Sequence, residues 1–141
     1  MFKTLLVSID ATVPEEANAL LKTASDLAKG WGSDLHVCTM VPDVYMAIVG
    51  TQFSDDFEAQ SLSAASDELA ELCRQAGVKA TPHVRVGTVY DRVIALAGEL
   101  NADLIVVGGS HPDLKDYLLG SNASRIVRHA NTSVLVLRAD D

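Results

Sequence analysis

The residues best placed to do chemistry lie in one stretch, Gly108-Gly109-Ser110-His111-Pro112-Asp113-Leu114-Lys115-Asp116-Tyr117-Leu118-Leu119-Gly120-Ser121-Asn122. It follows the apolar run Leu104-Ile105-Val106-Val107 and precedes a helical stripe of Ala123, Ile126, Val127 and Ala130. The order is therefore strand, small-residue loop, helix. A helix N-terminus presents unpaired backbone N–H groups and the positive end of the helix dipole, which suits a phosphate. Gly120 lets that backbone approach an anion closely, and Ser121 adds a hydroxyl donor.

Such a loop needs a scaffold, and the pattern of the remaining residues describes one. Residues 2–9 read as a buried strand ending at Asp10. Thr12-Val13-Pro14-Glu15 reads as a helix start, with Thr12 as cap, an early Pro and a Glu three positions after the Thr. The stripe Ala17, Leu20, Leu21, Ala24, Leu27, Ala28 carries this helix to about Gly30. Asp34 to Val41 is a second strand, stopped by Pro42. Residues 42–55 lack periodicity yet hold Tyr45, Met46, Ile48, Val49 and Phe53. They could pack as a flap on the core, wall a ligand or meet a second copy.

A helix follows with the stripe Ala65, Leu69, Leu72, Cys73, Ala76, and Gly77 is placed to end it. Residues 79–86 alternate in polarity and contain Pro82, which marks an edge strand. Gly87 and then Thr88-Val89-Tyr90-Asp91 open the next helix with a capping-box pattern. Asp103 to Gly108 is a strand, 120–130 a helix, and Ser133 to Leu137 the last strand. This is β-α-β-α-β-α-β-α-β, the alternation of an open parallel sheet with helices on both faces. Ligands of such sheets bind beyond the carboxyl ends of the strands, where strand order reverses. Asp10 and the Gly108–Ser110 loop both leave carboxyl ends.

Composition narrows the functional classes. The chain has 141 residues, enough for one domain over 1–141, and 48% are hydrophobic, which excludes disorder. A net charge of −8 argues against a general nucleic-acid binder and against docking on anionic lipid. No apolar run approaches the length of a membrane span, and the first residues do not form a signal peptide. The expectation is a cytoplasmic protein without membrane insertion. Cys38 and Cys73 lack zinc spacing and read as buried reduced thiols, so no metal ligands are assigned. There is no Ser-His-Asp order, Walker lysine motif or obvious water-activating base. No catalytic residue is assigned. Fast hydrolysis of a bound ligand is not expected.

The strand-terminal Asp10, the five β/α units, Gly87 before the third helix and the tail LLGSNAS…RHAN…SVLVLR resemble the universal stress proteins. The likeness covers essentially the whole chain and is nearest to a branch related to the F- and G-type proteins. It implies a doubly wound, Rossmann-like α/β fold, one five-stranded parallel sheet in order 3-2-1-4-5. It also implies an adenine-nucleotide-binding regulatory protein of the stress response. The family motif is G-x2-G-x9-G-[ST]. Gly109 matches its first glycine and Gly120-Ser121 its closing pair, whereas Pro112 replaces the second glycine and the loop is two residues shorter.

By position, the resemblance implies that Asp10 lies near the adenosine and that Val41 offers backbone groups to adenine. It implies that Gly109 and Ser110 lie by the ribose and phosphates, and that Gly120, Ser121 and Asn122 cradle the phosphates. The ligand would be ATP or AMP, with a divalent cation able to bridge the phosphate oxygens, and the resemblance leaves slow ATP hydrolysis or self-phosphorylation open. Plainer roles stand beside these: Asp10 as a cap, Val41 as core, Gly109 as loop geometry, Ser121 as N-cap. Arg125, Arg128 and His129 complement the negative end of their helix rather than hold phosphate, and His111 reads as a loop histidine as readily as a phosphate contact. His36 and His83 have no partner spacing and receive no chemistry. If Pro112 and the shorter loop close the pocket, the alternative is a dimeric interaction scaffold of the same fold without ATP. The last strand, Ser133 to Arg138, is apolar on both faces and would be a sheet edge, so a homodimer built on residues 133–138 is expected. The identity of any protein partner is not legible.

Overall fold

The first strand, β1 (Thr4–Ser8), is apolar on both of its faces, and its side chains divide between two cores. Leu5 and Val7 point to one side with Ile9, while Leu6 points to the other. A strand buried on both faces belongs in the middle of a parallel sheet. The computed structural model, which describes residues 1–42, 55–109 and 120–138, places it there. β1 pairs in parallel with β2 (Asp34–Val41) on one side and with β4 (Leu104–Gly108) on the other. β3 (Thr81–Val86) and β5 (Ser133–Leu137) complete the two flanks, giving the order β3-β2-β1-β4-β5. This is the doubly wound α/β fold that the alternation of elements and the family resemblance implied.

Two helix layers cover the sheet. α1 (Pro14–Trp31) and α2 (Asp55–Ala76) pack one face, with Ala17, Leu21, Ala24, Leu69 and Leu72 against Leu5, Val7 and Val106. α3 (Val89–Leu100) and α4 (Ser121–His129) pack the other, with Val93, Leu96, Ala97, Ala123 and Ile126 against Leu6, Cys38, Ile105 and Val107. β3 is an edge, as its alternation and Pro82 require, although it begins at Thr81 rather than at residue 79.

The helix boundaries correct the sequence reading in detail. α1 has Val13, not Thr12, at its N-cap, and no side chain caps it. Pro14 at the first position and Glu15 and Glu16 in the first turn start it instead, through a preset φ and complementarity to the dipole. The helix runs to Trp31, and Gly32 closes it in the left-handed conformation (φ 69°). Thr88 is the N-cap of α3 as expected, but its side chain makes no capping hydrogen bond. α4 has Gly120 rather than Ser121 at its N-cap.

The amino ends of the strands are tied by side chains. The Asp103 carboxylate accepts hydrogen bonds from the backbone N–H of Lys3 (3.1 and 2.9 Å) and of Thr4 (2.9 Å). The Asp103 N–H returns one to the Thr4 carbonyl (3.0 Å). These backbone donors hold the Asp103 carboxyl below its ordinary value of 3.8. The Ser33 hydroxyl donates to the Phe2 carbonyl, and Asp34 N–H to the Lys3 carbonyl.

Candidate functional site

At the carboxyl ends of β1 to β4 the chain leaves the sheet at Asp10, Val41, Gly87 and Gly109. The order reverses between β1 and β4, since β1 connects outward to β2 and β4 outward to β5. Asp10 and Gly109 follow these two central strands. α4 returns from that end to the amino end, where Ser133 pairs with Leu104, so its N-terminus faces the same end. Asp10, Val41, Gly109 and Gly120–Asn122 therefore share one end of the sheet. Ser110, His111 and Pro112 lie outside the described residues, as does the apolar run Tyr45–Phe53.

The N-terminus of α4 is the part best shaped for an anion. The first turn of an α-helix has N–H groups with no acceptor inside the helix. Here the first internal bond runs from Ser124 N–H to the Gly120 carbonyl (3.0 Å). Among the described residues no side chain caps the end, and the N–H groups of Ser121, Asn122 and Ala123 have no capping acceptor there. No acidic residue lies in the first turn to compete with an incoming anion. Gly120 has ordinary extended backbone (φ −61°, ψ 155°), and a Cβ there would meet nothing within 4 Å among the described residues. Neither backbone strain nor crowding among those residues explains the glycine.

The other positions are more committed to the fold. Asp10 is exposed, and its Oδ1 accepts from Thr12 N–H (2.9 Å) and Thr12 Oγ1 (2.6 Å). That Asx turn, with Val13 N–H on the Asp10 carbonyl (3.2 Å), aims the chain into α1. Thr12 thus turns back to Asp10 instead of capping the helix. The Val41 carbonyl accepts from Gly87 N–H (2.9 Å), and a second lone pair remains on that oxygen. Gly109 is buried and spends its N–H on the Leu137 carbonyl (2.9 Å), which leaves no donor there for a phosphate. Gly87 has φ 138°, and a Cβ would come within 2.9 Å of the Arg92 side chain. Only glycine makes this turn from β3 into α3 without strain.

The cations of α4 have protein partners or places away from its start. The Arg125 guanidinium stacks over the Tyr90 ring at 5.2 Å, and Arg128 and His129 occupy the last turn, where they complement the dipole. Neither cysteine is a nucleophile in waiting. Both are free and buried, and burial pushes the Cys38 thiol up to about 12 despite its hydrogen bond to Ser8. Among the described residues no group of three or more His, Cys, Asp or Glu side chains could hold a metal, and no helix is long and apolar enough to cross a membrane.

The model of the universal stress protein family matches residues 1–138. The chain belongs to the universal stress protein family. It is similar to universal stress protein G of Escherichia coli O157:H7, with 33% identity over 98% of this chain and all of the relative. Among solved structures, hypothetical protein MJ0577 aligns over the whole chain and 99% of its own, with a TM-score of 0.80 at 20% identity. A universal stress protein in complex with cAMP aligns over 99% of this chain and 98% of its own, with a TM-score of 0.68 at 22% identity. At these identities the structural likeness is one of fold.

In this universal stress protein two groupings escaped the sequence reading. One is the Asp103 clamp, whose donors, Lys3 and Thr4, lie about 100 positions away at the entry to β1. The other is His36 and His83, expected to have no partner. The β2–β3 register pairs Cys38 with His83 and His36 with Thr81, so the two histidines are diagonal neighbours on one face. His36 Nδ1 and His83 Nε2 are 2.9 Å apart, and the rings stack with centroids at 5.1 Å. Burial, and next the His36 ring, hold the His83 imidazole below its usual range. The usable signal was the alternation of 79–86, which sets His83 on one face once β3 is placed beside β2.

Proposed function

We propose that this universal stress protein is a small cytoplasmic regulator that binds an adenine nucleotide at the carboxyl end of its sheet. The phosphates lie against the N–H groups of Gly120, Ser121 and Asn122, and the adenosine lies between Asp10 and Val41. Gly109 and Ser110 line the path between them. The observation that carries this reading is the uncapped start of α4, beside a glycine that no strain or crowding among the described residues demands. The cAMP complex of a protein of like fold supports the ligand class. ATP is the physiological candidate and AMP the second, with a divalent cation bridging phosphate oxygens where a triphosphate is bound. Asp10 acts through its remaining oxygen, since Oδ1 is held by Thr12. Gly109 contributes a small surface rather than a donor. The free, buried cysteines support a reducing, cytoplasmic setting. The test is mass spectrometry of small molecules released from denatured protein, followed by titration with ATP, AMP and cAMP. A stoichiometric adenine nucleotide is the expected result; an empty protein that takes up none of the three overturns the reading.

The Gly109 N–H on Leu137 favours a second reading, a dimeric interaction scaffold without ATP. Both readings share an assembly. β5 is a sheet edge whose Val134–Leu137 side chains are only half-buried. An apolar edge of this kind seeks cover, and two copies related by a two-fold axis supply it. The homodimer is built on residues 133–138. Val136→Pro should remove an edge N–H and give monomer or aggregate by light scattering, against a wild-type dimer.

A further inference from the structure

Beyond the nucleotide reading, the sheet face of β2 and β3 carries two facing histidines. His36 and His83 come from adjacent strands and turn one ring nitrogen each toward the other, Nδ1 to Nε2, at 2.9 Å. Both side chains are half-buried, so solvent reaches the pair. Imidazole nitrogens are borderline ligands that suit zinc, copper and nickel, and not magnesium or calcium. Two zinc–nitrogen bonds of tetrahedral geometry need their nitrogens about 3.3 Å apart. The nitrogens therefore have to part by about 0.4 Å, and each ring has to swing its lone pair roughly 35° off the N–N line toward a common point.

We propose that His36 Nδ1 and His83 Nε2 form a two-imidazole site for a divalent transition-metal ion of the zinc class. The proton now shared between the facing nitrogens moves to the outer nitrogen of the donor ring as the metal binds. Both rings stay neutral, and each donates one lone pair. Water fills the remaining coordination positions, because the neighbouring Cys38 side chain is fully buried in the core with Leu6, Val93 and Leu96. The charges around the pair are Arg85 on β3 and Glu99 on α3, with 3.8 Å between the Arg85 guanidinium and the Glu99 carboxylate. That carboxylate tempers the repulsion of a cation by Arg85. The site lies on strands β2 and β3, and the proposed phosphate turn lies across the sheet beyond β4. It can thus be occupied whether or not a nucleotide binds.

The test is calorimetric titration of the tag-free, nucleotide-free chain with ZnCl2, with MgCl2 as control and melting temperature as a second readout. The expected result is one saturable zinc site, a rise in melting temperature with zinc and no response to magnesium. His36→Gln and His83→Gln should each weaken zinc binding at least about tenfold, which is about 1.4 kcal/mol. Arg85→Gln removes a repulsive charge and should strengthen it. Since β3 is an edge and both rings are partly exposed, the variants are expected to fold, and the circular dichroism spectrum checks this. Absence of saturable zinc binding by the wild type overturns the proposal. So does binding of equal strength in folded His36→Gln or His83→Gln, which would locate the ion elsewhere.

Discussion

The two ends of the sheet are built on opposite plans. At the amino end the Asp103 carboxylate gathers three hydrogen bonds from the starts of β1, and Ser33 and Asp34 reach back to Phe2 and Lys3. Side chains there are spent on the chain itself. At the carboxyl end the strands run out into glycines, at Gly87 and at Gly108 and Gly109, and α4 starts without a side-chain cap. Asp10 is the exception, holding its own turn through Thr12. The lesson is a division of labour within one sheet. One end is closed by internal partners; at the other, Gly87 and Gly109 are committed to the fold, and it is the start of α4, without a side-chain cap, that leaves backbone donors of the kind a ligand requires.

Substitutions at the two ends should separate stability from binding, and the largest effect tests whether the open end is indifferent to stability. Gly87→Ala forces a side chain onto φ 138° and against Arg92. It should cost about 2 kcal/mol by urea unfolding. A neutral result would mean that the turn into α3 relaxes freely. Gly120→Val should instead lower the melting temperature only slightly, by the poorer N-cap, because its backbone is ordinary and no described atom lies where the new Cβ would sit. Nucleotide affinity should fall about tenfold or more, about 1.4 kcal/mol. Unchanged affinity in a calorimetric titration would remove the phosphates from this turn.

At the closed end the signs reverse. Asp103→Asn retains one acceptor but loses the charge, and should cost about 1 kcal/mol of stability with nucleotide affinity untouched. A smaller effect follows from acid. The Asp103 carboxyl titrates lower when folded than its ordinary value of 3.8, so the folded state binds fewer protons there. Its contribution is complete above about that value and is lost as pH falls through the lower, folded one. Unfolding free energy measured between pH 5 and pH 2 should therefore drop more steeply in the wild type than in Asp103→Asn. Parallel curves would show that the clamp is held by geometry rather than charge.

The contrast also explains what the sequence disclosed. The fold was legible because burial acts on local periodicity. The apolar Leu104–Val107 run, the alternation around Pro82 and the stripe of α1 each encode one element. The start of α4 was legible for the same reason, as a local strand-loop-helix order. Capping was misread at Thr12 because Asp10, two residues earlier, competes for the hydroxyl. The histidine pair and the Asp103 clamp were invisible because each joins residues far apart in the chain, 47 and about 100 positions, through a register that no local pattern specifies. The committed N–H of Gly109 went unseen for the same reason, as its acceptor lies on β5.

The central place of β1 has a further consequence, for the order in which the molecule assembles. β1, α1 and β2 are neighbours in sequence and can come together early. The other side of β1 waits for β4, whose Leu104 pairs with Leu5. Closing a loop of that length must precede any reward from the contact, which makes such pairings slow. Until then an apolar strand keeps one edge bare, open to a neighbouring chain. The late step that docks β4 is thus where folding and aggregation compete, and the Asp103 clamp, which latches Lys3 and Thr4, secures the sheet once β4 is in place.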